Sequence, residues 1–532
     1  MNPVTVERVV DCKSDAKSLW GVVSDTERMN REIGLEPVDF TPLAGAGAAR
    51  FFGSTALGGF RVGYEERPFE WLEPSRLSVE RVFRGGPLER LRFALSLEPT
   101  PDGGTRAHLA TTLAPRLGLL APLARLLGGR ALDRMTAELR RIDFALKARG
   151  RAPASVTPAT VDEDALARHA TALRARAAPE LVDELVTLLT HASDLEVARL
   201  RPFALADRWG ADRRQVLAML LQAVKEGLVD LRWDVVCPSC RTAISQVPTL
   251  AELREHATCQ LCELDVEVSL EDAVELTFVP APAIRIVDVG PYCIGGPARV
   301  PHVTCQAILP ARGAVTLEAP DEVGTGLRLF LRGGAARAIF IRPGAPERVH
   351  LTTSELAEAP AVELAPRGTL ELSNDTSEER HAKLERTERT DLAATVRELT
   401  TLPEFRREFS SDLLVPGMTL EVSRVALLFS DLTDSTRLYS DLGDAAAFRL
   451  VQDHFEVLFE VLERAGGAIV KTIGDSVMAA FADEIAATRA GVELLRAFER
   501  FRASSELRGR VRLKLGVHAG PTYVITANGA LD

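Results

Sequence analysis

The chain is 532 residues long, and at roughly 100–200 residues per domain it holds about three to five domains, which excludes one compact fold. Apolar residues make up 46% and charged residues 26%, with 38 Gly and 30 Pro, so neither a fibre nor wholesale disorder fits. The 64 basic and 75 acidic side chains sum to −11 without a basic block of five or more, which argues against a chain devoted to nucleic acid or anionic lipid.

No run approaches the ~18 apolar residues of a membrane span, and the longest candidate, Leu117 to Leu127, is broken by Arg125. The start MNPVTVERVVD has no charged segment leading into an apolar one, so a cytoplasmic location is expected. Seven cysteines are too few for a disulfide scaffold at this length.

Residues 1–148 read as one unit: a strand from Val4 to Val10, a helix around Ala16 to Val23, β-like stretches between Ala49 and Thr112, and an amphipathic helix ending near Lys147. This order resembles the START-like helix-grip fold, which implies a curved antiparallel sheet around a long helix and an apolar cavity for a small ligand. Residues 149–161, including RGRAPASVTPAT, read as a linker. Residues 162–236 read as helices ending in a winged-helix-like unit, with a turn at Gly210, a second helix from Arg213 to Glu226 and a β-wing. Over Asp162 to Asp234 there are 13 acidic and 10 basic residues, a net of −3, the wrong sign for a phosphate-binding face, so DNA is not expected as a partner.

In residues 237–273, Cys237-Pro-Ser-Cys240 and Cys259-Gln-Leu-Cys262 stand eighteen residues apart. Two such knuckles present four thiolates to one ion, which predicts a closed zinc ribbon with one structural Zn²⁺ and no open catalytic position. His256 reads as a surface histidine. Residues 274–373 are β-rich, with Gly and Pro turns and two isolated thiols, Cys293 and Cys305. Residues 374–420 read as a charged, solvated connector, NDTSEERHAKLERTERTD, leading into a coupling helix from Leu392 to about Phe409.

Residues 421–532 show strand (Arg424 to Asp431), helix (Ala445 to Ala465), strand (Ala468 to Ile473), strand (Ser476 to Phe481), helix (Ile485 to Phe501) and strand (Val511 to Gly516). That is the ferredoxin-like βαββαβ plan, in which the first and third strands are antiparallel neighbours. The plan sets Asp431 beside Asp475 at strand ends, where paired carboxylates suit two hard divalent ions. Taken singly, Asp431 also reads as a helix cap and Asp475 as a turn residue. The LTDST segment after Asp431, with Ser435 and Thr436, offers backbone N–H groups to phosphate oxygens.

The motifs LLFSDLTDSTRLY, GGAIVKTIGDSVMAAF and KLGVHAGP resemble the catalytic domain of the class III nucleotidyl cyclases, and the CPSC/CQLC and GPYCIGGPARV regions are similar to a bacterial cyclase-associated domain of unknown function. The resemblance covers roughly Leu166 to the last residue. It implies that Asp431 and Asp475, with the Leu432 carbonyl, bind two Mg²⁺ or Mn²⁺ that activate the ribose 3′-hydroxyl for in-line attack on the α-phosphate, with pyrophosphate leaving. Lys471 and Asp532 stand at the family's base-reading positions and imply ATP as substrate, with GTP disfavoured. In the family these readers face a metal pair on the other subunit, so a homodimer with composite sites is implied. The family continues past the aspartate with an asparagine and an arginine, whereas this sequence stops at Asp532. The expected fold class is therefore multidomain α+β with an incomplete cyclase domain. The expected function is an adenylate cyclase with upstream regulatory domains; the alternative is a catalytically impaired dimerisation or scaffold module.

Overall fold

The computed structural model describes residues 3–43, 51–57, 60–150, 153, 160–192, 194–237, 241–254, 256–259, 264–268, 273–287, 292–293, 295–324, 326–332, 335–356, 360–387, 394–409, 419–433, 440–441, 443–527 and 530–531. Strand β1 (Val4–Cys12) is followed by helices α1 (Ala16–Val23) and α2 (Thr26–Glu32). Asp15 and Asp25 cap these helices by accepting hydrogen bonds from the Ser18 and Arg28 amides. Strands β2 (Asp39–Pro42), β3 (Phe51–Leu57), β4 (Phe60–Glu66), β5 (Glu70–Leu72), β6 (Arg76–Phe83), β7 (Leu88–Pro99) and β8 (Thr105–Pro115) complete an antiparallel sheet. The 29-residue helix α3 (Ala121–Arg149) then lays Leu132, Leu139 and Ile142 on it, in a core shared with Leu19, Trp20, Leu97 and Leu109. Gly150 ends α3 in the left-handed region, at φ 65°.

A helical unit follows: α4 (Glu163–Arg174), α5 (Pro179–His191), α6 (Asp194–Val197), α7 (Pro202–Trp209) and α8 (Arg213–Lys225). Gly210, at φ 63°, makes the turn between α7 and α8 where the sequence places it. Strand β9 (Val229–Val236) pairs with β10 (Ala243–Val247) on one side. The hairpin of β11 (His256–Cys259) and β12 (Leu264–Glu267) follows. Strand β13 (Val274–Pro280), expected to open the β-rich region, instead pairs along its whole length with the other side of β9. Its burial on both faces, with Val274, Leu276 and Phe278 in the helical core, makes it the third strand of the preceding unit.

The next strands are β14 (Val303–Leu309), β15 (Ala314–Glu318), β16 (Gly326–Leu331), β17 (Ala336–Ile341), β18 (Arg348–Thr352), β19 (Val362–Leu364), β20 (Thr369–Ser373) and β21 (Arg380–Arg386). Three findings here differ from the sequence reading. The N-terminal sheet does not end at its own edge: β5 pairs with β14, and the ladder runs on through β21, β16, β17 and β19. The stretch expected as a solvated connector contains β21, held between β14 and β16 with His381, Lys383 and Glu385 all buried. Its charge pattern hides a strand because partners supply the compensation: Arg328 pairs with Glu385 at 2.6 Å, and the Lys383 ammonium lies 6.0 Å from the Phe330 ring. The coupling helix is two short ones, α9 (Val396–Thr400) and α10 (Pro403–Glu408), separated where Pro403 starts the second.

In the last unit, β22 (Thr419–Leu432), α11 (Asp444–Arg464), β23 (Ala468–Ile473), β24 (Ser476–Phe481), α12 (Glu484–Ala503), β25 (Leu513–Ala527) and β26 (Ala530–Leu531) form a sheet of order β23-β24-β22-β25-β26. The first and third strands of the plan are antiparallel neighbours, Ser430 opposite Val477. Both long helices cover one face, with Leu450, Leu458 and Leu462 of α11 meeting Leu494, Phe498 and Phe501 of α12. On the other face, Val425 and Ala480 share a core with Leu399, Leu402 and Phe405 of the upstream helices. No described helix is long and apolar enough to cross a membrane.

Candidate active site

Strand β23 turns into β24 through two residues, Gly474 and Asp475, with Ile473 opposite Ser476. Gly474 takes φ 65°, which a two-residue hairpin favours at its first position and a side chain resists. Asp475 is thereby fixed at the tip of the hairpin, next to the start of β24. Asp431 lies near the end of β22, one residue beyond the Ser430–Val477 pair. The Ser476 hydroxyl donates to Asp431 Oδ1 at 2.6 Å, so the residue after one carboxylate holds the other. The Asp475 turn is thus tied to the end of β22 through its neighbour Ser476.

Asp475 is also braced from below. His454, fully buried on α11, faces the Asp475 carbonyl with Nε2 at 3.2 Å and the Val451 carbonyl with Nδ1. Burial lowers the His454 pKa, so its ring is held toward the neutral form. The Asp475 Oδ2 atom is buried without a hydrogen-bond partner. An orphaned carboxylate oxygen in a turn tied to a second aspartate is hard-donor chemistry that fits a divalent cation. Leu432 is buried at the end of β22, and the next residue is anchored by Thr433 N–H donating to the Arg512 carbonyl at 2.8 Å.

Lys471 is exposed on β23 opposite Met478, and Met478 lies opposite Phe429, two residues before Asp431. Cross-strand partners and residues two apart share a sheet face, so Lys471 and Asp431 are presented on the face away from α11 and α12. Ser435, Thr436 and Asp532 lie outside the described residues. Sequence reasoning missed Ser476 and His454. Ser476 carried no signal beyond its place after Asp475; His454 carried one, as a polar residue among Val451, Phe455 and Leu458 on an apolar helix face.

At the cysteine knuckles, Cys237 and Cys259 are both buried in one cluster. The Cys237 N–H donates to the Thr242 carbonyl at 3.0 Å and its carbonyl accepts from the Arg241 N–H at 2.8 Å, with Arg241 at φ 53°. Cys240 and Cys262 lie outside the described residues, and among the described residues no group of three or more His, Cys, Asp or Glu is placed to hold a metal. His256 is exposed, as expected. Cys293 and Cys305 are buried, and burial pushes both thiols up to about 12, which leaves them inert as nucleophiles. A cavity of about 50 Å³ lies at the seam of the N-terminal sheet and the β-rich region, between Phe69 and Trp71 on one side and Gln306, His381 and Lys383 on the other.

Residues 163–291 match a family of unknown function, DUF5939. No curated protein matches the chain. Among solved structures, a bacterial light-regulated adenylyl cyclase is 22% identical over 23% of this chain and 38% of its own, with a TM-score of 0.21. The adenylyl cyclase CyaB from P. aeruginosa is 22% identical over 22% of this chain and 65% of its own, with a TM-score of 0.20. The dimeric guanylyl cyclase domain of the RhoGC fusion protein from Blastocladiella emersonii is 18% identical over 21% of this chain and 64% of its own, with a TM-score of 0.19. The chain thus spans less than two thirds of the length of each. Residues 419–528 match the family described as the adenylate and guanylate cyclase catalytic domain.

Proposed function

We propose that the protein converts ATP to 3′,5′-cyclic AMP and pyrophosphate. The observation that carries this reading is the pairing of Asp431 and Asp475 through Ser476, with Lys471 presented on the same sheet as Asp431. Two Mg²⁺ or Mn²⁺ held by Asp431, Asp475 and the Leu432 carbonyl would supply activation of the ribose 3′-hydroxyl and charge stabilisation at the phosphates. The chain's own residues do the rest: Ser476 holds the Asp431 carboxylate, His454 holds the Asp475 backbone, and the segment with Ser435 and Thr436 offers N–H groups to phosphate oxygens. In the reaction the 3′-oxygen bonds to the α-phosphorus, the bond to the β-phosphate oxygen breaks, and the hydroxyl proton passes to solvent. Lys471 donates to a ring nitrogen of adenine and Asp532 accepts from its amino group, a pairing that disfavours GTP. The readers serve a carboxylate pair on a second copy, so the working form is a homodimer with composite sites.

The upstream parts are read as regulatory and cytoplasmic. Residues 1–148 are a START-like helix-grip domain for a small apolar ligand, 162–236 a winged-helix-like unit used for packing, and 237–273 a ribbon in which Cys237, Cys240, Cys259 and Cys262 hold one structural Zn²⁺. The net charge of −3 over Asp162 to Asp234 sets DNA aside.

Cyclic nucleotide formation from ATP and from GTP, each with Mn²⁺ and with Mg²⁺, tests the proposal beside Asp431→Ala. Cyclic AMP that disappears in the variant is the expected result. Cyclic GMP alone would overturn the base reading, and no product from either nucleotide would overturn the enzymatic one.

A further inference from the structure

Between Asp102 and Asp133 the chain has no acidic residue but carries Arg106, Arg116, Arg125 and Arg130. In the same stretch, the 3-10 turn Gly118–Leu120 and the first turns of α3 leave five leucines in solvent: Leu117 is 53% exposed, Leu119 77%, Leu123 50%, Leu126 51% and Leu127 51%. They do not belong to the packing face of the helix. Ala124, Gly128 and Leu132, spaced at i, i+4 and i+8, are buried with Gly129. Gly128 lies so close to β8 that a Cβ there would come within 2.6 Å of Leu113 Cδ1, so the helix is pressed onto the sheet and has no room to roll its leucines inward. Leu123, Leu126 and Leu127 share the outer face, and Arg130 follows one turn on. Isolated exposed leucines are ordinary in a folded protein, but five neighbouring ones with a basic rim mark an interaction surface.

We propose that this surface docks on an anionic lipid bilayer, with the leucines entering the headgroup boundary and Arg116, Arg125 and Arg130 meeting lipid phosphates. Charge decides between the occupants. A second copy seated face to face would bring arginines against arginines, with no acid on the patch to meet them. The tip of the adjacent β6–β7 hairpin does not relieve this: it sets Arg84 against Glu89, and Arg90 there is bridged to Glu80 at 3.3 Å, so it adds no excess of acid. A lipid surface offers hydrocarbon to the leucines and negative charge to the arginines together. The whole-chain charge of −11 conceals the patch because the acids lie elsewhere in the sequence.

The test is sedimentation of the full chain with vesicles of phosphatidylcholine alone and of phosphatidylcholine mixed with phosphatidylglycerol, at low and high salt. Binding should be on the order of tenfold or more stronger to the mixed vesicles and should weaken as salt rises. Leu119→Glu with Leu126→Glu should abolish it, and Arg125→Glu with Arg130→Glu should reduce it to the level of the neutral vesicles. All four side chains are exposed, so circular dichroism and melting should match the parent; Leu119→Ala with Leu126→Ala provides a gentler second variant. Equal binding to both vesicles, no binding, or binding unchanged in the variants would overturn the proposal. So would concentration-dependent self-association that disappears in the leucine variants, which would assign the patch to a second copy.

Discussion

Replacing Ser476 with alanine removes the hydroxyl that holds the Asp431 carboxylate. That hydroxyl donates to Asp431 Oδ1 at 2.6 Å, a charge-assisted contact of a kind that contributes about 1.5–3 kcal/mol. Asp431 is only partly buried, so water regains part of the loss and the lower end of the range applies. About 1.5 kcal/mol corresponds to roughly a tenfold change in rate. The strands themselves stay joined, because the Val477 N–H donates to Ser430 Oγ at 3.2 Å and the ladder continues on both sides. The perturbation therefore frees the Asp431 side chain without opening the sheet. In a cyclic AMP assay, Ser476→Ala should lower kcat/KM about tenfold and raise the Mn²⁺ concentration needed for half-maximal rate, with the fold retained by circular dichroism. Ser476→Thr should retain most of the activity. Unchanged turnover and unchanged metal dependence in the alanine variant would refute the reasoning, since Asp431 would then be oriented by something else.

Arg285 is 2% exposed, bridges to Asp194 at 2.6 Å and donates to the Leu189 and Ala192 carbonyls at the end of α5. Arg285→Met leaves those acceptors unmatched and should cost about 3–5 kcal/mol, read as faster amide exchange in α5; unaltered exchange would contradict it. Because burial lowers the His454 pKa, the unfolded chain takes up a proton that the folded one resists. Stability of the last unit is thus fully present above the ordinary histidine value of 6.5 and should fall as pH drops below it, a slope that His454→Gln should lose in pH-dependent melting curves. Elemental analysis of the purified chain should find one zinc, and Cys237→Ser should lower that content; a metal-free chain with unchanged melting would remove the zinc reading.

The catalytic unit was largely legible from the amino-acid sequence because its signals are local. Strands β23 and β24 have the bounds that alternation and the intervening Gly-Asp turn predict, and the apolar spacing of α11 and α12 shows through within about two residues at each end. The βαββαβ order then sets the end of β22, with Asp431, beside the start of β24 without any further information. What stayed hidden depends on partners distant in sequence. Arg380–Arg386 reads as solvated charge until Arg328 and the neighbouring strands of the sheet are supplied, and only then is it a buried strand. The joining of β5 to β14 comes from backbone hydrogen bonding between residues some 230 apart, which leaves no periodic trace. The same holds for the site's supports: Ser476 and His454 matter through what they touch, an aspartate 45 residues away and a turn 21 residues away. Residue type and spacing pointed to the candidate groups, while the pairing of strands decided what holds them in place, because a hydrogen bond between distant residues exists only once the chain has closed the loop between them.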